Sequence, residues 1–193
     1  MDLAQHGKTM GLLTFALNVT LDGCHDHREM IADDELLDYF TQLMDAAGAM
    51  LYGRTTYELM ESAWPAVARD EKAPRATGEW ARKLEAKPKY VVSASRRDFP
   101  WNNTFHVEGD LQEAVSQLKE RTPRGLLVSG PALAAALERM GLIDGYRLVV
   151  HPVLAGHGPT LFQGLEPPRR LELVATERLK SGVMALHYRR NEG

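Results

Sequence analysis

Three segments end an apolar run with small, hydroxylic or cationic residues: Tyr52-Gly53-Arg54-Thr55-Thr56, Val92-Ser93-Ala94-Ser95-Arg96 and Val128-Ser129-Gly130-Pro131. Each reads as the end of a strand feeding a helix. A helix start presents unpaired N–H groups and the positive end of the helix dipole, so it attracts anions. Glycine lets the backbone approach a phosphate closely, and arginine adds a planar, permanently charged fork. In an open parallel sheet all three turns lie at the carboxyl ends of the strands, where ligands bind. The expected ligand is a phosphate-bearing nucleotide. Neither GxGxxG after the first strand nor GxxxxGK[ST] occurs in the chain. Thr55 and Glu58 have the spacing of a capping box, which explains that helix start without a ligand. Arg54 has no structural role in this reading and carries most of the binding expectation.

Other groups point to less. Cys24, His25 and His27 lie within one loop without the spacing of a zinc site, and read as a solvated loop. His151 reads as a packed or hydrogen-bonded histidine, and Tyr57 and Met60 as core at helical spacing. Trp64 reads either as core or as a pocket wall. No Ser/His/Asp arrangement is present, and the HxE…PCxxC pattern of zinc deaminases is absent.

The positioning elements follow from periodicity. Residues 12–20 are apolar at nearly every position, as in a strand buried on both faces. Residues 34–47 carry Leu36, Phe40, Leu43 and Ala47 on one helical face, with Asp33, Asp34 and Glu35 at the positive end and Gly48 at the stop. Further strands are expected at 49–52, 89–93, 125–128 and 146–151. Further helices are expected from about Thr55, over 78–86, over 110–121 behind an Asp110/Glu113 capping box, and after Pro131. Residues 65–76 read as loop, and 170–177 with 183–190 as a hairpin around Lys180-Ser181-Gly182. This alternation implies an α/β fold: a mostly parallel central sheet, helices on both faces, and a C-terminal antiparallel hairpin.

The bulk properties set limits. The chain of 193 residues fits one domain, read as 10–193 after a loose leader at 1–9. A net charge of −3 gives no bulk case for nucleic acid or anionic membrane. The polar start MDLAQHGKTM lacks the apolar stretch of a secretory signal, and no run approaches the roughly 18 apolar residues of a membrane span. A single cysteine fits a reducing compartment, so a cytoplasmic location is expected. No metal is expected.

The chain resembles the dihydrofolate-reductase-like domains related to the reductase half of the bifunctional riboflavin-biosynthesis deaminase-reductase. The resemblance runs from residue 11 onward. It rests on NVTLDG at 18–23, LYGRTTYELM at 51–60 with Trp64-Pro65, KYVVSAS at 89–95, WNNT at 101–104, VSGPAL at 128–133 and LIDGYRLVVHPVLAGHGPTLF at 142–162, in the family's order. It implies a dihydrofolate-reductase-like fold, NADPH as cofactor, and hydride transfer to a small conjugated heterocycle such as a pterin or pyrimidine. By position, Gly53, Arg54, Thr55 and Thr56 would hold the pyrophosphate and approach the adenosine phosphate. Ser93, Ser95 and Arg96 would flank the adenine and the 2′-phosphate. Ser129, Gly130, Pro131, Ala132 and Leu133 would line the other side, and Asn18 and Val19 would lie near the nicotinamide. Two arginines near a 2′-phosphate favour NADPH over NADH. The chain departs from dihydrofolate reductases proper in having Ser129-Gly130 where they have two adjacent glycines.

A dihydrofolate reductase needs a buried carboxylate to hold the ring and assist protonation. Asp22, Asp33, Asp34, Glu35 and Asp38 are the candidates, each with a plain alternative as a turn residue or helix-dipole partner. The competing expectation is a nucleotide-binding module without efficient catalysis, acting as a sensor or partner protein. Resemblance also implies a homodimer; the strand at 146–151 and the C-terminal hairpin are candidate interface elements, since an exposed sheet edge invites pairing.

Overall fold

The structure, a computed structural model, describes residues 10–191; the leader expected at 1–9 lies outside them. One eight-stranded sheet forms the centre. Its strands are β1 (Leu13–Thr20), β2 (Ala49–Gly53), β3 (Lys89–Val92), β4 (Thr104–Val107), β5 (Leu126–Ser129), β6 (Gly145–His151), β7 (Leu171–Arg178) and β8 (Met184–Arg190). They lie in the order β4-β3-β2-β5-β1-β6-β8-β7. The first six are mutually parallel, and β8 and β7 add antiparallel to β6.

Five helices join the strands: α1 (Asp34–Ala46), α2 (Arg54–Arg69), α3 (Arg75–Ala86), α4 (Leu111–Arg121) and α5 (Pro131–Arg139). Side chains alternate across the strands, so each inner strand feeds two cores. Leu13, Phe15, Leu51, Leu126 and Val128 pack with Val115 and Leu118 of α4 and Leu133 and Leu137 of α5. Ala16, Met50, Tyr52 and Leu127 pack on the other side with Met44, Tyr57, Trp80 and Leu84 from α1, α2 and α3. Helices therefore cover both faces of the parallel part, as the run of apolar residues in β1 requires.

Three boundaries differ from expectation. Helix α2 does not stop at Pro65 but runs through it to Arg69. A mid-helix proline removes one hydrogen bond and crowds a carbonyl, yet Trp64 packs edge-on against Trp80 of α3, holding the two helices together there. Helix α3 accordingly begins at Arg75, ahead of the expected residue 78. Strand β4 has only four residues at the sheet edge, with Phe105 half exposed, too short a signal to read as a strand.

One lysine organises the turn from α3 into β3. Lys89 is fully buried, and its Nζ donates to the carbonyls of Leu84 at 2.8 Å, Glu85 at 3.2 Å and Lys87 at 2.8 Å. It thereby satisfies carbonyls that the helix end leaves open. Burial pushes its ammonium pKa down to about 8, while the three carbonyls and the Trp101 ring at 4.6 Å favour the charged form.

Candidate functional site

Strands β2 and β5 are neighbours, with Tyr52 opposite Ser129. Beyond their carboxyl ends the chain departs in opposite directions. From β2 it enters α2 on one face, and from β5 it enters α5 on the other. This is a topological switch point, where a crevice opens in doubly wound sheets. Gly53 is the N-cap of α2 and Gly130 the N-cap of α5, and neither helix start has a side-chain cap. By contrast, Asp33 caps α1 through Leu36 N–H, and Asp110 caps α4 through Glu113 N–H. Helix α3, behind Pro74, also lacks a side-chain cap, but it is the starts of α2 and α5 that adjoin. A Cβ on Gly130 would collide with Thr56 Oγ1, and one on Gly53 would lie 3.5 Å from Leu133 Cβ. Gly130 has φ +116°, a conformation that L side chains rarely adopt. The crevice floor is thus two sets of unpaired N–H groups behind glycines, an arrangement suited to a pyrophosphate. Ser129 does not crowd it: its hydroxyl turns aside and donates to Ala16 O at 3.2 Å.

Two expectations about this turn are corrected. The Thr55/Glu58 capping box does not form, because the helix starts at Arg54 and leaves Thr55 inside the first turn. Glu58 instead pairs with Arg54 one turn back, at 3.1 Å, with the arginine 47% exposed. Arg54 therefore has a structural partner after all, an exposed pair of the kind worth little in stability.

The third turn is corrected as well. Residues 93–103 contain no helix and run directly to β4, so Ser93, Ser95 and Arg96 offer no helix dipole. Ser93 Oγ accepts from Arg96 N–H at 2.9 Å, and Ser95 is exposed. The Arg96 guanidinium is held by both Glu61 oxygens, at 2.9 and 3.1 Å, and lies over the Tyr57 and Phe99 rings. Tyr57 hydroxyl donates to Glu61 at 2.9 Å and fixes that carboxylate. Both arginine forks expected at a 2′-phosphate are thus already engaged by glutamates, and a phosphate there competes with Glu58 and Glu61. Sequence reasoning missed Glu61, because it stands 35 residues from Arg96, and read Glu58 only as a partner of Thr55.

At β1 the Asn18 side chain is half-buried on the α1 side of the sheet, whereas the Val19 side chain is buried, 5% exposed. Pro131 is half-buried, Ala132 exposed and Leu133 buried beneath Gly53.

The candidate proton donors have other duties. Asp22 accepts from Thr20 hydroxyl, from Ala155 N–H at 3.1 Å and from Gly156 N–H at 2.7 Å. The Thr20 hydroxyl first, and then the two amides, hold its pKa down at about 2. It pins the 155–156 loop as an anion and is no acid near neutrality. Its stabilising contribution is present above the ordinary carboxylate pKa of 3.8 and is lost as pH falls through about 2. Asp22→Asn is therefore expected to melt earlier than the wild type at pH 6, with the difference shrinking between pH 4 and pH 2.5. A pH-independent difference in thermal melts would contradict this role. Asp38 forms a two-pronged pair with Arg75 at 3.0 and 2.8 Å, which lowers its pKa. Glu35 accepts from Lys180 N–H at 2.7 Å. Asp34 is exposed on the first turn of α1. Cys24 is also not a solvated residue: it is 1% exposed and bridges to Thr160.

A hollow of about 470 Å³ opens elsewhere, at the amino ends of β1 and β5 between Leu12, Leu43, Arg124 and Arg147. Parallel sheets do not gather helix starts at that end, so the adjoining helix starts at Gly53 and Gly130 remain the candidate site.

The chain matches the RibD C-terminal domain over residues 12–185. It belongs to that family. Among curated proteins it is similar to the uncharacterised protein YyaP of Bacillus subtilis (strain 168), 28% identical over 179 residues, covering 91% of this chain and 93% of YyaP. Among solved structures it is similar to the diaminohydroxyphosphoribosylaminopyrimidine deaminase/5-amino-6-(5-phosphoribosylamino)uracil reductase of Thermotoga maritima. That match has a TM-score of 0.65 at 16% identity, covering 95% of this chain and 58% of the other. Dihydrofolate reductase from Enterococcus faecalis, complexed with NADP(H), matches with a TM-score of 0.61 at 15% identity, covering 95% and 98%. The fold of this RibD C-terminal domain is therefore dihydrofolate-reductase-like. Among its described residues no helix is long and apolar enough to cross a membrane.

Proposed function

We propose that the protein is an NADPH-dependent reductase that delivers hydride to a small conjugated heterocycle of the pyrimidine or pterin type. The observation that carries this reading is the pair of uncapped helix starts at Gly53 and Gly130, adjoining at the switch point of a RibD C-terminal domain. The likeness in fold to a Thermotoga deaminase/reductase and to a dihydrofolate reductase complexed with NADP(H) supports it.

The nicotinamide, when bound, supplies the hydride. The chain's part is placement. The N–H groups of α2 and α5 take the pyrophosphate, Arg54 takes an adenosine-side phosphate from Glu58, and Leu133 closes the floor beneath Gly53. Arg54→Ala is expected to weaken micromolar NADPH binding roughly fivefold, the scale of one exposed charge-assisted hydrogen bond. Equal affinity of variant and wild type in a fluorescence titration would remove Arg54 from the site.

A second reading keeps cofactor binding without efficient turnover. It is favoured by one observation: four of the five candidate carboxylates are committed to loop, cap or ion-pair contacts, and Asp34 faces solvent. Single-turnover oxidation of bound NADPH by a panel of pterins and aminopyrimidines separates the two. Turnover with any of them eliminates the second reading.

A cytoplasmic homodimer completes the proposal. Strand β6 lies inside the sheet between β1 and β8 and offers no edge, contrary to the expectation from sequence. Strand β7 is the longer of the two edge strands, with Leu173 52% and Val174 47% exposed, and such an edge invites pairing with a second copy. Val174→Lys is expected to shift the protein from dimer to monomer in sedimentation. A monomeric wild type would end the idea.

A further inference from the structure

His151 is fully buried at the carboxyl end of β6, where it joins two distant parts of the chain. Ile31 N–H, in the segment leading to α1, donates to its Nδ1 at 3.1 Å. A nitrogen that accepts carries no proton, so the proton of the neutral ring sits on Nε2. Nε2 lies 2.9 Å from Asn18 Oδ1 and donates to it. Burial lowers the pKa of His151, in keeping with the neutral ring. The orientation of the Asn18 amide follows. Its oxygen is taken by the histidine, and its Nδ2 has no partner among the described residues and is not buried. The half-buried amide therefore turns its N–H donors, not its oxygen, away from His151.

The place of this donor matters. From Arg96, beyond β3, the sheet runs β3-β2-β5-β1 to Asn18, three strand spacings or about 14 Å. The pyrophosphate crevice lies midway, between β2 and β5. A dinucleotide laid across the crevice with its adenosine phosphate toward the arginines ends at β1.

We infer that His151 positions the Asn18 amide so that its Nδ2 donates to the carboxamide oxygen of the nicotinamide. This inference rests on the NADPH-binding reading above. His151 is a positioning residue, and Asn18 makes the contact. Together they select a ring bearing a carbonyl acceptor and fix which edge of it points into the protein.

The test compares NADPH with 2′,5′-ADP, which lacks the nicotinamide half, by calorimetric titration of the full chain. Asn18→Asp keeps an acceptor for His151 Nε2–H but replaces the donor by an acceptor. It should weaken NADPH at least tenfold and leave 2′,5′-ADP within twofold. His151→Phe frees the amide to turn and should weaken NADPH roughly three- to tenfold, the worth of one hydrogen bond. His151→Gln, which keeps a donor at the Nε2 position, should restore most of that loss. Unchanged NADPH affinity in Asn18→Asp overturns the inference. So does an equal loss of both ligands, which marks a general structural role. A wild type that binds neither ligand overturns the cofactor reading instead.

Discussion

Gly130→Ala is expected to cost about 3 kcal/mol of stability and to reduce NADPH affinity more than tenfold. Two terms add. A residue with a side chain at φ +116° stores roughly 1–3 kcal/mol of backbone strain. The new methyl group would also collide with Thr56 Oγ1 and lie 3.2 Å from Thr56 Cβ, and overpacking of this sort costs about 1–3 kcal/mol. The contact lies between the first turns of α2 and α5, so relief comes only by moving the two helix starts apart. That movement separates the N–H groups proposed to share the pyrophosphate. The double variant Gly130→Ala/Thr56→Ala should recover the packing share of the stability and not the strain share. Thermal melts and NADPH titration of the three variants check this. A Gly130→Ala protein that melts and binds like the wild type would show that the helix starts do not need their close approach.

The other large effect lies at the far end of α5. Glu138 is 2% exposed, and Arg190 Nη2 donates to both its oxygens at 2.9 and 2.8 Å. Tyr146 hydroxyl donates to it at 2.5 Å, and Arg169 approaches to 3.6 Å. The cluster ties α5 to β6 and β8. Removing one partner of a buried pair leaves an uncompensated charge, at a cost of roughly 3–5 kcal/mol. Arg169 remains nearby, so Arg190→Met is expected near the lower figure, about 3 kcal/mol, or roughly 6–12 °C in melting temperature at this chain length. Replacing the group together, as Glu138→Met/Tyr146→Phe/Arg190→Met, should recover much of the loss, because the buried carboxylate leaves with its partner and the remaining Arg169 is 31% exposed to solvent. A loss below 1 kcal/mol in Arg190→Met would mean that Glu138 is satisfied without it.

The contrast between these two places shows how much the sequence disclosed. Gly130 before Pro131 is a local signal, and it marked the helix start on which the candidate site is built. Five of the six parallel strands were legible because burial on both faces leaves nearly continuous apolar runs, as in residues 13–20; the four-residue edge strand β4 was not. Glu58 misled because it stands three residues after Thr55 and four after Arg54, so one spacing served two motifs. Only the true start of α2 at Arg54 decides between them. The remaining errors came from contacts without local spacing. Glu61 finds Arg96 across 35 residues, Asp22 finds Gly156 across 134, and His151 finds Asn18 across 133. Those contacts determine which arginines are already paired, which carboxylate is locked as an anion, and which way an amide faces.

The central claim is that the crevice between Gly53 and Gly130 holds NADPH. Titrating NADPH with the full chain while following the cofactor's fluorescence tests it most directly. The account predicts a saturable change with a micromolar midpoint, reversed by 2′,5′-ADP. Fluorescence that does not change at any protein concentration would contradict it.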